Sequence, residues 1–380
     1  MDVRPIIFSR TAATVDWQCR MKRFWNFEFA GRGLTAPELP YELYLGQLVH
    51  DGVAAMAHNV PIDEIVKAGI TQLKAKLLEG LMPDGSPREL NSDAQLFADE
   101  QCALAEGMLR GFYRVCWPGI CVEYPEVVMV ERELVYDYEV DGHLLRFLSK
   151  PDLVRRAKDG SIWVLELKTT GSNKEEWIKQ WTTAVQVHAQ LKAVERALGE
   201  EPAGCIVQGF YKGYLDRRYG RWESPFCYAY HSPGNPPFEK PKWALEYKYG
   251  LKKHPLWLKD GGVKQWINEM PLPMLASQFP RTPPIFIQER LIEEFFLQQG
   301  LREIEIKKHR AEHRQDGPLP LSFHRTFPKQ FESCNAYSRV CQYKRLCFGA
   351  PVDPLTIGYT QRYSHHPLEE EALRNEEVSK

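Results

Sequence analysis

Residues 161–170, SIWVLELKTT, constrain the fold more than any other stretch of this chain. The run is aliphatic, aromatic and β-branched, and it follows Asp159-Gly160, the residue pair that a tight hairpin turn selects. It reads as a strand, yet it carries Glu166 and Lys168 two positions apart. Side chains two apart on a strand share a face. These two ions therefore lie side by side, while Trp163, Leu165 and Leu167 pack opposite. The turn folds the preceding segment back along the strand, which brings Asp152, in KPDLV, beside Glu166. Two carboxylates and an ammonium then converge near a sheet end.

Paired carboxylates suit a hard divalent cation such as Mg²⁺ or Mn²⁺. Such an ion polarises a phosphate oxygen and acidifies a water, and a lysine orients that water or offsets charge on a phosphorane-like transition state. Asp152, Glu166 and Lys168 thus meet the needs of phosphodiester hydrolysis. They also fit a plainer arrangement, a solvated strand face on which Glu166 and Lys168 pair, worth only about 0–1 kcal/mol.

The formal net charge of −1 excludes a molecule-wide basic footprint, so any nucleic-acid site is local. Arg10, Arg23 and Arg155 are among its candidates. No apolar leader core opens the chain and no run of about 18 apolar residues appears. The expectation is a soluble, cytoplasmic protein with no membrane partner. In a reducing compartment the nine cysteines are free or metal-bound, not disulfide-bonded. Cys334, Cys341 and Cys347 cluster near the end and Cys19 stands near the start. Three clustered thiols lack one ligand for a four-coordinate site, and the chemistry leaves zinc and iron–sulfur open.

Apolar spacing predicts helices over 9–29, 41–58, 60–82 and 93–115, with a turn-rich loop at 82–93. Strands follow over 126–140, with hairpins at Asp141-Gly142 and Asp159-Gly160. A Ser172–Glu175 capping box opens a long helix that stops at Gly199, and 203–213 is a further strand. The order suggests one sheet with helices packed on it. Residues 231–285 are rich in proline and glycine, 284–312 form an amphipathic helix, and the end is a mobile acidic tail. The organisation expected is a helical part (1–122), a catalytic core (123–230), an insertion with a long helix (231–325), a cysteine cluster (326–350) and the tail (351–380).

PDLV followed by VLELKTT resembles the PD-(D/E)xK nuclease core, and the surrounding pieces resemble its RecB-type branch. That branch includes nuclease domains of recombination helicases, CRISPR-adaptation and AddB-like nucleases, and phage exonucleases. The resemblance spans about 9–215 and 326–349. LGQLVHDGV is similar to the branch's G-x-x-x-H helix, which implies His50 as a metal ligand and Gly46 as the point of close approach. The implied metal shell is His50, Asp152, Glu166 and the backbone at Leu167. QVHAQ stands where the branch has Q-x-x-x-Y: Gln186 matches and is implied to be catalytic, whereas Gln190 departs from the tyrosine and keeps only a weak nucleic-acid role, with Arg23 and Arg155. The resemblance further implies that Cys19, Cys334, Cys341 and Cys347 hold a 4Fe–4S cluster tying the chain ends together, with Zn²⁺ as the alternative.

The implied fold is an α/β restriction-endonuclease-like core, a central mixed sheet flanked by helices, with N- and C-terminal helical segments joined by the metal cluster. The implied function is a metal-dependent DNA exonuclease on single-stranded or end-opened DNA in recombination, repair or phage DNA metabolism. No phosphate-binding G-x-x-x-x-G-K-[ST] loop is present, so unwinding would come from a partner helicase; a single-strand annealing protein is another expected partner. The alternative is a catalytically quiet DNA-binding accessory module.

Overall fold

The computed structural model describes residues 5–37, 41–78, 92–171, 174–216, 221–231, 252–312, 323–338, 340–349 and 352–378. The chain starts with β1 (Ile6–Ser9), whose last residue caps α1 (Arg10–Gln18) by accepting the Ala12 N–H. The helix expected over 9–29 is broken. Cys19 is extended (φ −166°), α2 (Arg20–Arg23) restarts beyond it, and Phe24–Glu28 widens into a π turn. That break turns Cys19 into an apolar cluster with Met21, Trp25, Phe327 and Tyr343. A short strand, β2 (Leu34–Thr35), pairs with Thr360–Gln361.

Helices α3 (Tyr41–Ala57), α4 (Ile62–Leu78) and α5 (Ser92–Val115) follow, close to the predicted bounds. The expected loop at 82–93 lies almost wholly outside the described residues. Helix α6 (Trp117–Glu123) then leads into β3 (Glu126–Val130), β4 (Leu134–Val140), β5 (His143–Ser149), β6 (Leu153–Arg156) and β7 (Ile162–Thr170). Both Asp-Gly hairpins form, pairing Val140 with His143 and Arg156 with Ile162.

The helix expected over 172–199 is two helices, α7 (Lys174–Trp181) and α8 (Val185–Leu198), the second closed by Gly199 in the left-handed region (φ 68°). The capping-box serine lies outside the described residues. Strand β8 (Gly204–Tyr211) runs parallel to β7, the sense that a helical crossover permits.

Rather than the single sheet expected, the strands make, among the described residues, three two-stranded ladders and two larger sheets. One is mixed, β3-β6-β7-β8; the other is β1-β5-β4, with β1 parallel to β5. The four-stranded sheet is buried on both faces. Leu153, Leu165, Leu167, Ile206 and Phe210 meet the α3 and α5 side chains, while Val154, Ile162, Val164 and Val207 meet α7 and α8. Two-sided burial accounts for the continuous apolar pattern of β7. This is a mixed α/β architecture with mixed sheets flanked by helices.

Residues 278–285 run along the open edge of β8, exchanging N–H···O bonds at Cys205, Gly209 and Tyr211, which protects that edge. Before it, α9 (Gly262–Glu269) and α10 (Leu272–Ala276) pack on α5. Beyond it, α11 (Glu289–Glu312) covers the second sheet with Ile292, Phe295 and Phe296. Helices α12 (Phe323–Thr326) and α13 (Lys344–Phe348) flank the late cysteines.

The expected mobile tail is instead docked. Helix α14 (Pro367–Val378) is fixed by Arg362–Glu369 and Arg32–Glu370 ion pairs and by His366 Nδ1, 2.9 Å from Glu133. Buried partners for acidic residues are what the bare charge pattern does not reveal. Among the described residues no helix is long and apolar enough to cross a membrane.

Candidate metal centre

Asp152 directly precedes β6, and the Leu153–Leu165 pairing sets it against the middle of β7. Its Oδ2 accepts the Leu167 N–H at 2.6 Å, and its Oδ1 lies 2.9 Å from His50 Nδ1. His50 is delivered by α3, whose stripe of Leu45, Leu48, Val49 and Val53 is anchored in the core beneath β7. The glycine one turn earlier is not demanded by space: a Cβ at Gly46 would meet only Thr169 Oγ1, at 3.6 Å.

Glu131 completes the group, and sequence reasoning missed it. It sits in the turn between β3 and β4 with φ 47°, a left-handed conformation that costs an L-residue about 1–2 kcal/mol. Its N–H bonds the Asp152 carbonyl at 3.1 Å. One carboxylate oxygen is held by Lys150 Nζ at 2.8 Å, and the other is 3.8 Å from His50 Nδ1. One ligand atom each from His50, Glu131 and Asp152 lie within 4.8 Å of one another, the only such trio of His, Cys, Asp or Glu among the described residues. This group can bind a metal ion.

Glu166 lies outside that trio. Its carboxylate is 1% exposed. Oε1 accepts from Arg10 Nη1 at 2.9 Å and Lys168 Nζ at 2.5 Å, and Oε2 accepts from Gln190 Nε2 at 3.0 Å. The ammonium of Lys168 also stands 6.0 Å from the Trp181 ring centre. Gln190 Oε1 is buried with no hydrogen-bond partner among the described residues.

The electrostatics follow from these contacts. Burial alone would lower the His50 pKa, but the Asp152 charge and the hydrogen bonds to Asp152 and Glu131 outweigh it and raise the group to about 9. Burial would raise Glu166, yet the charges of Lys168 and Arg10 and the bonds from Lys168 and Gln190 hold it well below the usual carboxylate range. In Glu131 burial is likewise overcome, by bonds from His50 and Lys150.

Lys168 pairs with Glu166 as the strand pattern required, and His50 meets Asp152 as the resemblance implied. The expected shell is corrected in two places: Glu166 stands apart from the His50–Asp152 group, and Leu167 engages Asp152 through its N–H, not its carbonyl. The two glutamines exchange places. Gln190 touches the buried carboxylate, whereas among the described contacts no hydrogen bond links Gln186 to it. Two weak nucleic-acid candidates are corrected. Arg23 is buried in ion pairs with Glu28 and Glu303, and Arg155 is buried over Trp117 with a bond to the Pro125 carbonyl. Neither presents a free donor surface to a phosphate.

The nine cysteines are all free thiols. Cys19, Cys341 and Cys347 border one apolar cluster, and Cys334 is within electrostatic reach of Cys341 and Cys19. Burial pushes Cys347 up to about 11. No three of these sulfurs come within 4.8 Å of one another. Four thiolates on a single zinc at 2.3 Å would stand about 3.8 Å apart, so the thiols as placed do not form a mononuclear coordination group.

Comparison with known proteins finds no matching family model and no matching curated protein.

Proposed function

We propose that this protein is a metal-dependent phosphodiesterase acting on DNA, an exonuclease on single-stranded or end-opened substrate built on a restriction-endonuclease-like core. The observation that carries this reading is the meeting of His50, Glu131 and Asp152 beside the buried Glu166–Lys168 pair. The imidazole-plus-carboxylate set fits Mn²⁺ or Mg²⁺. A bound ion there would supply Lewis acidity toward a phosphate oxygen and a water of lowered pKa.

The chain's own residues do the rest. The Leu167 N–H fixes the Asp152 carboxylate, and the contact with Asp152 fixes the imidazole plane of His50. Lys168, paired with Glu166, orients the attacking water and faces the charge that grows on phosphorus-bound oxygens. His50 must lose its proton to serve as a ligand, so loading the site releases a proton. Cys19, Cys334, Cys341 and Cys347 are the residues that would hold a 4Fe–4S cluster. A cluster held there would tie the first helices to α13 and would take no part in hydrolysis. Helicases and single-strand annealing proteins are the partner classes such an exonuclease would serve.

A second reading, a catalytically quiet DNA-binding module, rests on one observation: two cations already occupy Glu166 Oε1. Digestion of 5′- and 3′-end-labelled single-stranded DNA with Mg²⁺, Mn²⁺ or chelator separates the two. Metal-dependent loss of label supports the enzyme and gives its polarity. Tight binding with no cleavage under any metal supports the module.

A further inference from the structure

We infer that Arg10 is a catalytic residue of this centre: its guanidinium binds a non-bridging oxygen of the phosphodiester that is cut. The inference rests on the hydrolytic reading of the site and names a group that touches the substrate.

Three observations carry it. The first is position. Ser9 pairs with Leu148, so the start of α1 is pinned beside the strand that leads into Asp152, and Arg10 Nη1 reaches Glu166 at 2.9 Å. The second is spare capacity. A guanidinium has five donors in a rigid fork, and among the described residues Glu166 is the one hydrogen-bond acceptor of the Arg10 side chain. That side chain is 26% exposed while its partner carboxylate is 1% exposed. Arg23 and Arg302, by contrast, are buried and spread over several acceptors.

The third is charge. Asp152, Glu166 and Glu131 oppose Arg10, Lys168 and Lys150, three against three, before His50 is counted. With a divalent cation held and His50 neutral, the centre carries two excess positive charges. A phosphodiester anion and a hydroxide neutralise that excess. Arg10 and Lys168 share one oxygen of Glu166, so a phosphate oxygen brought into the centre competes with it for the Arg10 donors. Lys168 is confined by β7 and Trp181, whereas Arg10 enters from α1 and has donors to offer.

In the reaction, the water oxygen forms a bond to phosphorus, its proton leaves to solvent, and the bond to the leaving sugar oxygen breaks as that oxygen takes up a proton. Arg10 stays protonated throughout and steadies the non-bridging charge.

The test compares wild type with Arg10→Ala and Arg10→Lys. Single-stranded DNA affinity is read in Ca²⁺, Mn²⁺ affinity by calorimetry, and kcat and KM with Mn²⁺, with and without added guanidinium. Arg10→Ala is expected to bind Mn²⁺ at least as tightly as wild type, because Arg10 bonds none of His50, Glu131 and Asp152 and its loss removes a positive charge near the cation. It should bind DNA about tenfold more weakly and lose about 100-fold in kcat, with partial rescue by guanidinium; Arg10→Lys should fall between. A purely structural arginine would give the opposite sign on the metal, with Mn²⁺ and DNA affinity lost together, and that result overturns the inference. Unchanged DNA affinity and kcat in Arg10→Ala overturns it as well. Wild-type protein that binds DNA but cuts none refutes the hydrolytic reading alone, and the DNA-affinity comparison still decides Arg10.

Discussion

Asp152→Asn isolates the interaction on which the metal group depends. His50 is raised to about 9 because the Asp152 charge and hydrogen bond overcome a burial effect that acts the other way. The rise from about 6.5 corresponds to about 3 kcal/mol at about 1.4 kcal/mol per unit. Removing the Asp152 charge leaves burial dominant, so His50 should then titrate near or below 6.5. Linkage gives the sign of the stability effect. A raised folded-state pKa means that the stabilisation is complete below about 6.5 and is lost as pH rises through about 9. Metal-free wild type should therefore weaken across that window, and Asp152→Asn should lack that slope. NMR titration of the His50 ring, assigned with His50→Gln, measures the pKa directly, and urea unfolding at pH 6 and pH 9 measures the slope. A His50 pKa still above 8 in Asp152→Asn would refute the reasoning.

Glu131→Gly removes a carboxylate and relieves a left-handed backbone; Mn²⁺ affinity should fall about tenfold or more while urea stability is held or gains up to about 1 kcal/mol. Gln190→Ala should cost about 2–4 kcal/mol by denaturant unfolding, since it deletes a buried bond to a carboxylate and leaves a hole, whereas Gln186→Ala should stay within about 0.5 kcal/mol. Mn²⁺ affinity in wild type should rise with pH up to about 9, approaching tenfold per unit, because one proton leaves His50 on binding; calorimetry in buffers of different ionisation enthalpy counts that proton. Anaerobically purified protein should contain iron and labile sulfide in equal amounts, both lost in Cys334→Ala.

The central strand was legible because three signals agreed on β7: an Asp-Gly turn, a β-branched run and a following helix. The same turn placed Asp152 opposite Leu165 and so fixed most of the centre. Glu131 was not legible. In EVVMVERELVYDYEV a glutamate reads as an outward strand position, and only the left-handed turn at 131 swings its carboxylate to His50. That turn also splits the run between two sheets, which is why a single sheet was expected.

Arg10 reaches Glu166 across 156 positions through a parallel β1–β5 pairing that no local pattern announces. The exchange of Gln186 for Gln190 was not legible either. Both glutamines lie on α8, four positions apart, and the Q-x-x-x-Y match that singled out Gln186 carries no information on which of them reaches Glu166. The buried Arg23 shows the converse. A basic cluster such as RMKRFW looks solvated until Glu28 and Glu303 are found against it.

The most direct test of the centre is anomalous diffraction from crystals soaked in Mn²⁺. The account predicts a peak bonded to His50, Asp152 and Glu131, and no such peak in Asp152→Asn crystals. An occupied manganese site elsewhere, with His50 still hydrogen-bonded to Asp152, would contradict it.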